Sequence, residues 1–307
     1  MTEVVQSCAI SQSSLWGFAE ICRNLNNEER FVLGTTCKAF WYHVQPYMTI
    51  KMNGKIKNDN ITKNIIKPYR SVFINDLCSV KLLEYLSNCY CLEDLTIINT
   101  AEIVYNGDTS YTKILDNINN LENLRSIKLI LPCDIVYTTE DDMVSLCKYK
   151  DMEYLENISL SFRYKEKIEF GKFKQYKESK TLKSLKLKSN GNLIFDNDVQ
   201  QLSELHESET ITELKIVIKN SYTTNESLEY ISELYKSNSI EKLCINIEHT
   251  EKSHSPGVAS LHKFKDMVNL TELTLYLFHH VINDEEAIAL GQLGQAPKLK
   301  KLQLDLG

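Results

Sequence analysis

Leu182-Lys183-Ser184-Leu185-Lys186-Leu187 is the stretch from which the fold is read. Apolar residues hold its first, fourth and sixth places, with polar residues between them. Its second half alternates with period two, the pattern of a short strand with one buried face. Near copies stand upstream at Leu92-Glu93-Asp94-Leu95-Thr96-Ile97, Leu124-Arg125-Ser126-Ile127-Lys128-Leu129 and Leu155-Glu156-Asn157-Ile158-Ser159-Leu160. Others stand downstream at Ile211-Thr212-Glu213-Leu214-Lys215-Ile216, Ile240-Glu241-Lys242-Leu243-Cys244-Ile245, Leu270-Thr271-Glu272-Leu273-Thr274-Leu275 and Leu299-Lys300-Lys301-Leu302-Gln303-Leu304. Their fourth places fall at 95, 127, 158, 185, 214, 243, 273 and 302, in steps of 32, 31, 27, 29, 29, 30 and 29. A period this steady marks a stacked solenoid, whose units cannot bury their apolar sides singly and fold as a block.

The stretches between hexads read as helices. Val80, Leu83 and Leu86 share a face, as do Ile114, Leu115 and Ile118. The same holds for Val199, Leu202 and Leu205, for Leu228, Ile231 and Leu234, and for Leu261, Phe264 and Met267. Helix starts are expected at Thr139 with Asp142 and at Thr223 with Glu226, each an acceptor followed by a carboxylate three places on. Such a cap contributes about 1 kcal/mol. Burial of the aliphatic stripes contributes more, about 1.5–3 kcal/mol for each fully buried side chain.

The hexads and their spacing resemble the leucine-rich repeat, in its long, ribonuclease-inhibitor-like form. The resemblance implies an α/β fold: a horseshoe with one parallel sheet lining the concave side and helices on the outside. Weaker strands at Ile50-Lys51-Met52 and Val72-Phe73-Ile74 precede the first hexad by shorter steps and bring the expected total to about ten. The repeat family carries an asparagine after the strand that satisfies turn carbonyls. Asn99, Asn190 and Asn220 are the candidates, too few for a regular ladder. The last hexad is followed by no polar closing helix, and a bare final strand is an association hazard.

Residues 1–12 read as a tail and residues 13–49 as a separate helical segment, leaving 50–307 for the solenoid. Leu15, Phe18, Ile21, Cys22 and Leu25 are spaced for one helix face, Asn26 and Glu29 fit a capping pair, and Pro46 closes a third helical stretch. Ile21-Cys22-Arg23-Asn24-Leu25, Phe31-Val32-Leu33 and Thr36-Cys37-Lys38-Ala39-Phe40-Trp41 resemble the F-box, a three-helix motif of about forty residues. Ser13 and Ser14 stand where that family opens with leucine-proline, and Thr36 and Phe40 replace its usual valine and tryptophan. The resemblance implies a Skp-type adaptor, and through it a cullin, as partners. The implied contact residues are Phe18, Ile21, Leu25, Phe31, Leu33, Cys37 and Lys38. Without that resemblance the segment reads as a cap shielding the first repeat from water.

Composition limits the remaining possibilities. A formal charge of −6, from 35 basic and 41 acidic residues, argues against wholesale nucleic-acid binding. No apolar run reaches the roughly 18 residues of a membrane span, and the opening residues lack the pattern of a secretory signal. Nine scattered cysteines, with no paired CxxC motifs, read as small apolar side chains in a reducing compartment, cytoplasmic or nuclear. The sequence has no phosphate-cradling glycine run, no His-Glu-x-x-His and no Gly-x-Ser-x-Gly. His279 and His280 are adjacent on a strand and so point apart, while His249 and His254 flank a loop, Ser255-Pro256-Gly257, that reads as solvated. No metal, cofactor or enzymatic activity is therefore expected.

The concave face is the candidate working surface. At the fifth place of the hexads stand Thr96, Lys128, Ser159, Lys186, Lys215, Cys244, Thr274 and Gln303. Two places on stand Ile98, Ile130, Ser161, Lys188, Val217, Asn246, Tyr276 and Asp305. Lys128, Lys186, Lys188 and Lys215 gather at the centre, with Tyr276 and other apolar residues to either side. That mixture fits an acidic or phosphorylated peptide, and equally a solvated face that keeps the sheet soluble. Three functions follow. The first is a monomeric substrate-recognition subunit of a cullin-type ubiquitin ligase, holding a protein substrate on the repeats. The second is a stand-alone protein-binding module with a helical cap. The third, an activator of a small GTPase, would need a polar rim loop that the sequence does not supply.

Overall fold

The computed structural model describes residues 49–53, 70–75, 92–98, 111–131, 140–163, 168–191, 193–249, 253–254, 257–278 and 280–306. Its frame is a ten-stranded, wholly parallel sheet built in chain order. The strands are β1 (Thr49–Asn53), β2 (Ser71–Asn75), β3 (Asp94–Ile98), β4 (Ser126–Ile130), β5 (Asn157–Arg163), β6 (Ser184–Asn190), β7 (Glu213–Ser221) and β8 (Lys242–His249). After the two-residue β9 (Ser253–His254) come β10 (Glu272–Tyr276), the two-residue β11 (His280–Val281) and β12 (Lys301–Asp305). β9 and β11 pair with each other in a small second sheet. The large sheet runs from β1 at one edge through β8 and β10 to β12 at the other.

Register follows the hexads residue for residue. Ile50 pairs with Val72 and Val72 with Leu95, so the two short early steps join the same lattice. Leu185 then lies opposite Ile158 and Leu214, and Leu273 opposite Leu243 and Leu302. From Leu92 to Leu275 the first, fourth and sixth places of every hexad are buried, forming one continuous core. The last hexad departs from this, with Leu302 exposed and Leu299 and Leu304 only partly covered.

Behind the sheet lie α1 (Tyr111–Asn119), α2 (Glu140–Cys147), α3 (Asp196–Ser203), α4 (Glu226–Ser232), α5 (Gly257–Ser260) and α6 (Asp284–Gly291). The stripes named from the sequence face the core, apart from Val80, Leu83 and Leu86, which lie outside the described residues, and Ile114, whose side chain is not described. α2 to α6, α5 included, pass directly into 3-10 helix: Lys148–Asp151, Glu204–Glu207, Glu233–Lys236, Leu261–Asp266 and Gln292–Gln295. Between β5 and β6, the shortest step between hexads, no α-helix forms among the described residues. A nine-residue 3-10 helix, Phe170–Glu178, takes its place and buries Phe170, Phe173 and Tyr176. Phe170 and Phe173 pack on Phe162 and on each other, and Tyr176 stacks on Phe173, at centroid distances of 5.4–6.0 Å. Helices are wider than the roughly 4.8 Å strand spacing, so stacking them bends the sheet and leaves its free face concave. This is a leucine-rich-repeat solenoid of the α/β class.

Three local expectations are corrected. Asn190 and Asn220 do not satisfy turn carbonyls; Asn220 Nδ2 donates to Asn190 Oδ1 at 2.9 Å, on the exposed rim. Asn99 lies outside the described residues. The turns on the other side, from helix to strand, are held by a ladder of hydroxyls. Ser179, Ser208 and Ser237 end their helices, and each Oγ accepts from the backbone N–H groups two and three places on. Thr210 and Ser239 then donate to the Ser179 and Ser208 carbonyls of the preceding repeat, at 3.0 and 2.7 Å.

The second correction concerns α4, which begins at Glu226 rather than after Thr223. Its leading turn is organised by Asp196 of the repeat before, which accepts from the Thr224 N–H and both the Thr224 and Ser227 hydroxyls. A carboxylate supplied from a neighbouring repeat is invisible to a local capping rule. The cap expected at Thr139 lies outside the described residues. The third correction is Gly257, which is buried at the start of α5 rather than solvated.

Candidate functional site

The open face of the sheet carries three rows of side chains, set by strand alternation. Nearest the strand starts, charges interlock from repeat to repeat. Arg70 meets Glu93; Arg125 lies 3.9 Å from Glu93 and 3.5 Å from Glu156; Lys183 lies 3.2 Å from Glu156. Further along the sheet, Lys242 lies 2.8 Å from Glu272, and Lys301 4.0 Å from the same carboxylate.

The middle row holds Lys128, Ser159, Lys186 and Lys215 on four successive strands, in direct register. Lys186 is not free. Its Nζ lies 2.8 Å from Glu213 Oε1, while Ser184 Oγ donates to Glu213 Oε2 at 3.0 Å. Burial pushes the Glu213 carboxyl up, but the Lys186 ammonium and the Ser184 hydroxyl outweigh it and hold the group below the usual range. Lys128 and Lys215 have no carboxylate within ion-pair distance among the described residues, nor does Lys188 one row on. The sequence therefore brought four lysines to one surface, and the structure leaves three of them unpaired.

Cys244 follows Lys215 in the middle row. Burial pushes its thiol up, Lys215 pulls it back in part, and Glu213 adds to the rise. A protonated thiol is a poor nucleophile at neutral pH. Cys147, buried behind the sheet, is pushed up to about 11.

The third row differs from the expected solvated one. Val217 and Asn246 are each only 5% exposed, although they sit on the open face. Asn246 Oδ1 is buried with no hydrogen-bond partner among the described residues. Tyr276, its in-register neighbour, is half-buried and stacks on Phe278 with centroids 6.1 Å apart. Neither Asn246 nor Phe278 stands out in the sequence, because strand alternation alone assigns both to solvent. The signal available was the pair of apolar residues in register with Asn246, Val217 and Tyr276.

Solved leucine-rich-repeat structures resemble this chain in backbone. An internalin from Listeria monocytogenes matches 87% of the chain at 18% identity, with a TM-score of 0.44. The match covers 64% of the internalin, so the chain spans less than two thirds of that structure. A leucine-rich-repeat protein from Leptospira interrogans matches 83% of the chain and is itself covered over 71%, at 14% identity and a TM-score of 0.41. No family model matches the sequence, and no curated protein matches it. At these identities and TM-scores the likeness says nothing about the surface, which is read from its own residues.

Phe18, Ile21, Leu25, Phe31, Leu33, Cys37 and Lys38 lie outside the described residues. Among the described residues no three or more His, Cys, Asp or Glu side chains are grouped as a metal site, and no helix is long and apolar enough to cross a membrane. His280 is buried, with Nε2 donating to the Ile247 carbonyl at 3.2 Å.

Proposed function

We propose that this chain is a protein-recognition module that holds its partner on the concave sheet and does no chemistry itself. One observation carries the reading: in the middle and third rows of the open face Lys128, Lys188 and Lys215 lie beside apolar side chains without a carboxylate among the described residues, while the back of the solenoid is laced with cross-repeat pairs. Lys174 and Lys177 both bind Glu204, for example, and Lys263 binds Glu233. The site residues of this reading are Lys128, Lys186, Lys188, Lys215 and Tyr276. A photo-crosslinking residue at position 188 in the full-length protein should join a partner that the same residue at Lys180, in the loop before β6, does not. Equal yield at both positions would reject the concave face.

Within that reading, the F-box resemblance of residues 13–47 supports a more specific role as the substrate-recognition subunit of a cullin-type ubiquitin ligase. Phe18, Ile21, Leu25, Phe31, Leu33, Cys37 and Lys38 would dock a Skp-type adaptor, and the solenoid would bring its protein substrate close to enzymes that other subunits supply. The scattered cysteines, with no paired CxxC motifs in the sequence, support a cytoplasmic or nuclear setting. Co-purification of the full chain with the adaptor tests this role, against a version lacking residues 13–47. No complex at micromolar concentration would leave the stand-alone module.

A further inference from the structure

Among the described residues, pairing is the rule for lysines. Lys148, Lys150, Lys172, Lys174, Lys177, Lys183, Lys219 and Lys236 all meet carboxylates. The lysines whose described side chains meet neither a carboxylate nor an amide are Lys128, Lys180, Lys188, Lys215 and Lys300, and three of these five stand in the middle and third rows of the open face. That face thus keeps a local positive surplus on a chain of net charge −6.

The spacing of the surplus identifies its complement. Lys128 and Lys215 are three strands apart, about 14 Å, and Lys188 lies about 7 Å along the strand direction from the Lys215 row. A single phosphoryl group needs donors converging on one point. Charges spread over such a span suit several separate carboxylates on an extended chain. Beside them Tyr276 and Phe278, half-buried and stacked, add apolar area, and the overall negative charge disfavours a nucleic acid.

We propose that the concave sheet from β4 to β10 binds an extended, carboxylate-rich protein segment. Its acidic side chains lie on Lys128, Lys188 and Lys215, and an apolar side chain packs against Tyr276 and Phe278. This rests on the recognition-module reading and specifies the chemistry of its partner.

The test is fluorescence anisotropy of the full-length protein with a short labelled peptide of repeated Glu-Glu-Leu, competed by unlabelled peptides. Binding is expected to weaken with salt, and K188E/K215E to reduce affinity about 10-fold. K180E/K298E, in the turns before β6 and β12, changes net charge equally and is expected to leave affinity unchanged. Equal loss in both double variants overturns the proposal. So does equal binding of a Gln-Gln-Leu peptide, or better competition by a phosphoserine peptide or an oligonucleotide. If the acidic probe fails to bind while crosslinking at position 188 still captures a partner, only the acidic assignment falls. If both fail, the module reading falls with it.

Discussion

Gly257 shows how closely successive repeats approach. A Cβ there would stand 2.2 Å from the Asn225 backbone oxygen of the repeat before, an atom with no side-chain freedom to yield. Gly257→Ala is therefore expected to cost about 1–3 kcal/mol or more in urea denaturation. Gly291→Ala, where nothing lies within 4 Å, is expected to be neutral or to stabilise its helix by about 0.5–1 kcal/mol. Tyr176 is the polar counterpart. It is fully buried, and its hydroxyl donates to the Leu146 carbonyl at 2.8 Å across the repeat boundary. Tyr176→Phe strands that carbonyl and is expected to lower stability by about 1–3 kcal/mol, measured by the same titration. Local pattern signals neither role, because both partners belong to other repeats. The burial of Asn246 is hidden in the same way, since alternation assigns it to the open face and says nothing of how tightly its neighbours close over it.

The helices teach a finer lesson about period. Val199, Leu202 and Leu205 are spaced by three, as are Leu228, Ile231 and Leu234, and Leu261, Phe264 and Met267. A stripe at i, i+3, i+6 drifts off the face of an α-helix, which needs 3.6 residues per turn, but stays in line on a 3-10 helix with three. The structure follows that spacing, beginning each helix as α and finishing it as 3-10. Phe170, Phe173 and Tyr176 keep the same interval, and there the entire element is 3-10. The existence of most of these elements was legible in their stripes. Their winding was legible too, in an interval of three that an amphipathic α reading passes over. The seryl turns that follow are worth testing as units. Ser208 is buried and accepts from the Thr210 and Ile211 N–H groups at 3.3 and 3.2 Å. Ser208→Ala is expected to cost about 1–3 kcal/mol and to raise hydrogen exchange at those two amides above that of the equivalent pair after Ser237.

At the scale of the whole molecule, the hexad ladder was fully legible because one register serves every strand, whereas the charge pairing was not. Lys174 and Lys177 find Glu204 at 2.9 and 2.8 Å only after a turn of the solenoid has brought residues about thirty apart side by side. Those lysines hold the Glu204 carboxyl below the usual range, and Lys236 and Lys263 do the same for Glu233. A carboxylate whose folded pKa is depressed releases its proton more readily when folded. The stability it lends is full above the unfolded value of about 4.3 and is lost as pH falls through the lower folded value. The melting temperature is thus expected to drop between pH 7 and about pH 3.5. Glu204→Gln should lower it at neutral pH and narrow the difference between the two conditions. The mixed winding behind the sheet also bears on how the array tolerates change. Nine 3-10 residues reach about 18 Å, nearly the roughly 20 Å of an eight-residue α segment with a four-residue 3-10 tail. By trading one pitch for the other, a unit can lose or gain a few residues at its back and keep its front in step, as a vernier absorbs a fraction of a division. An array built this way can revise its outer arc piecemeal without disturbing the surface it shows to a partner.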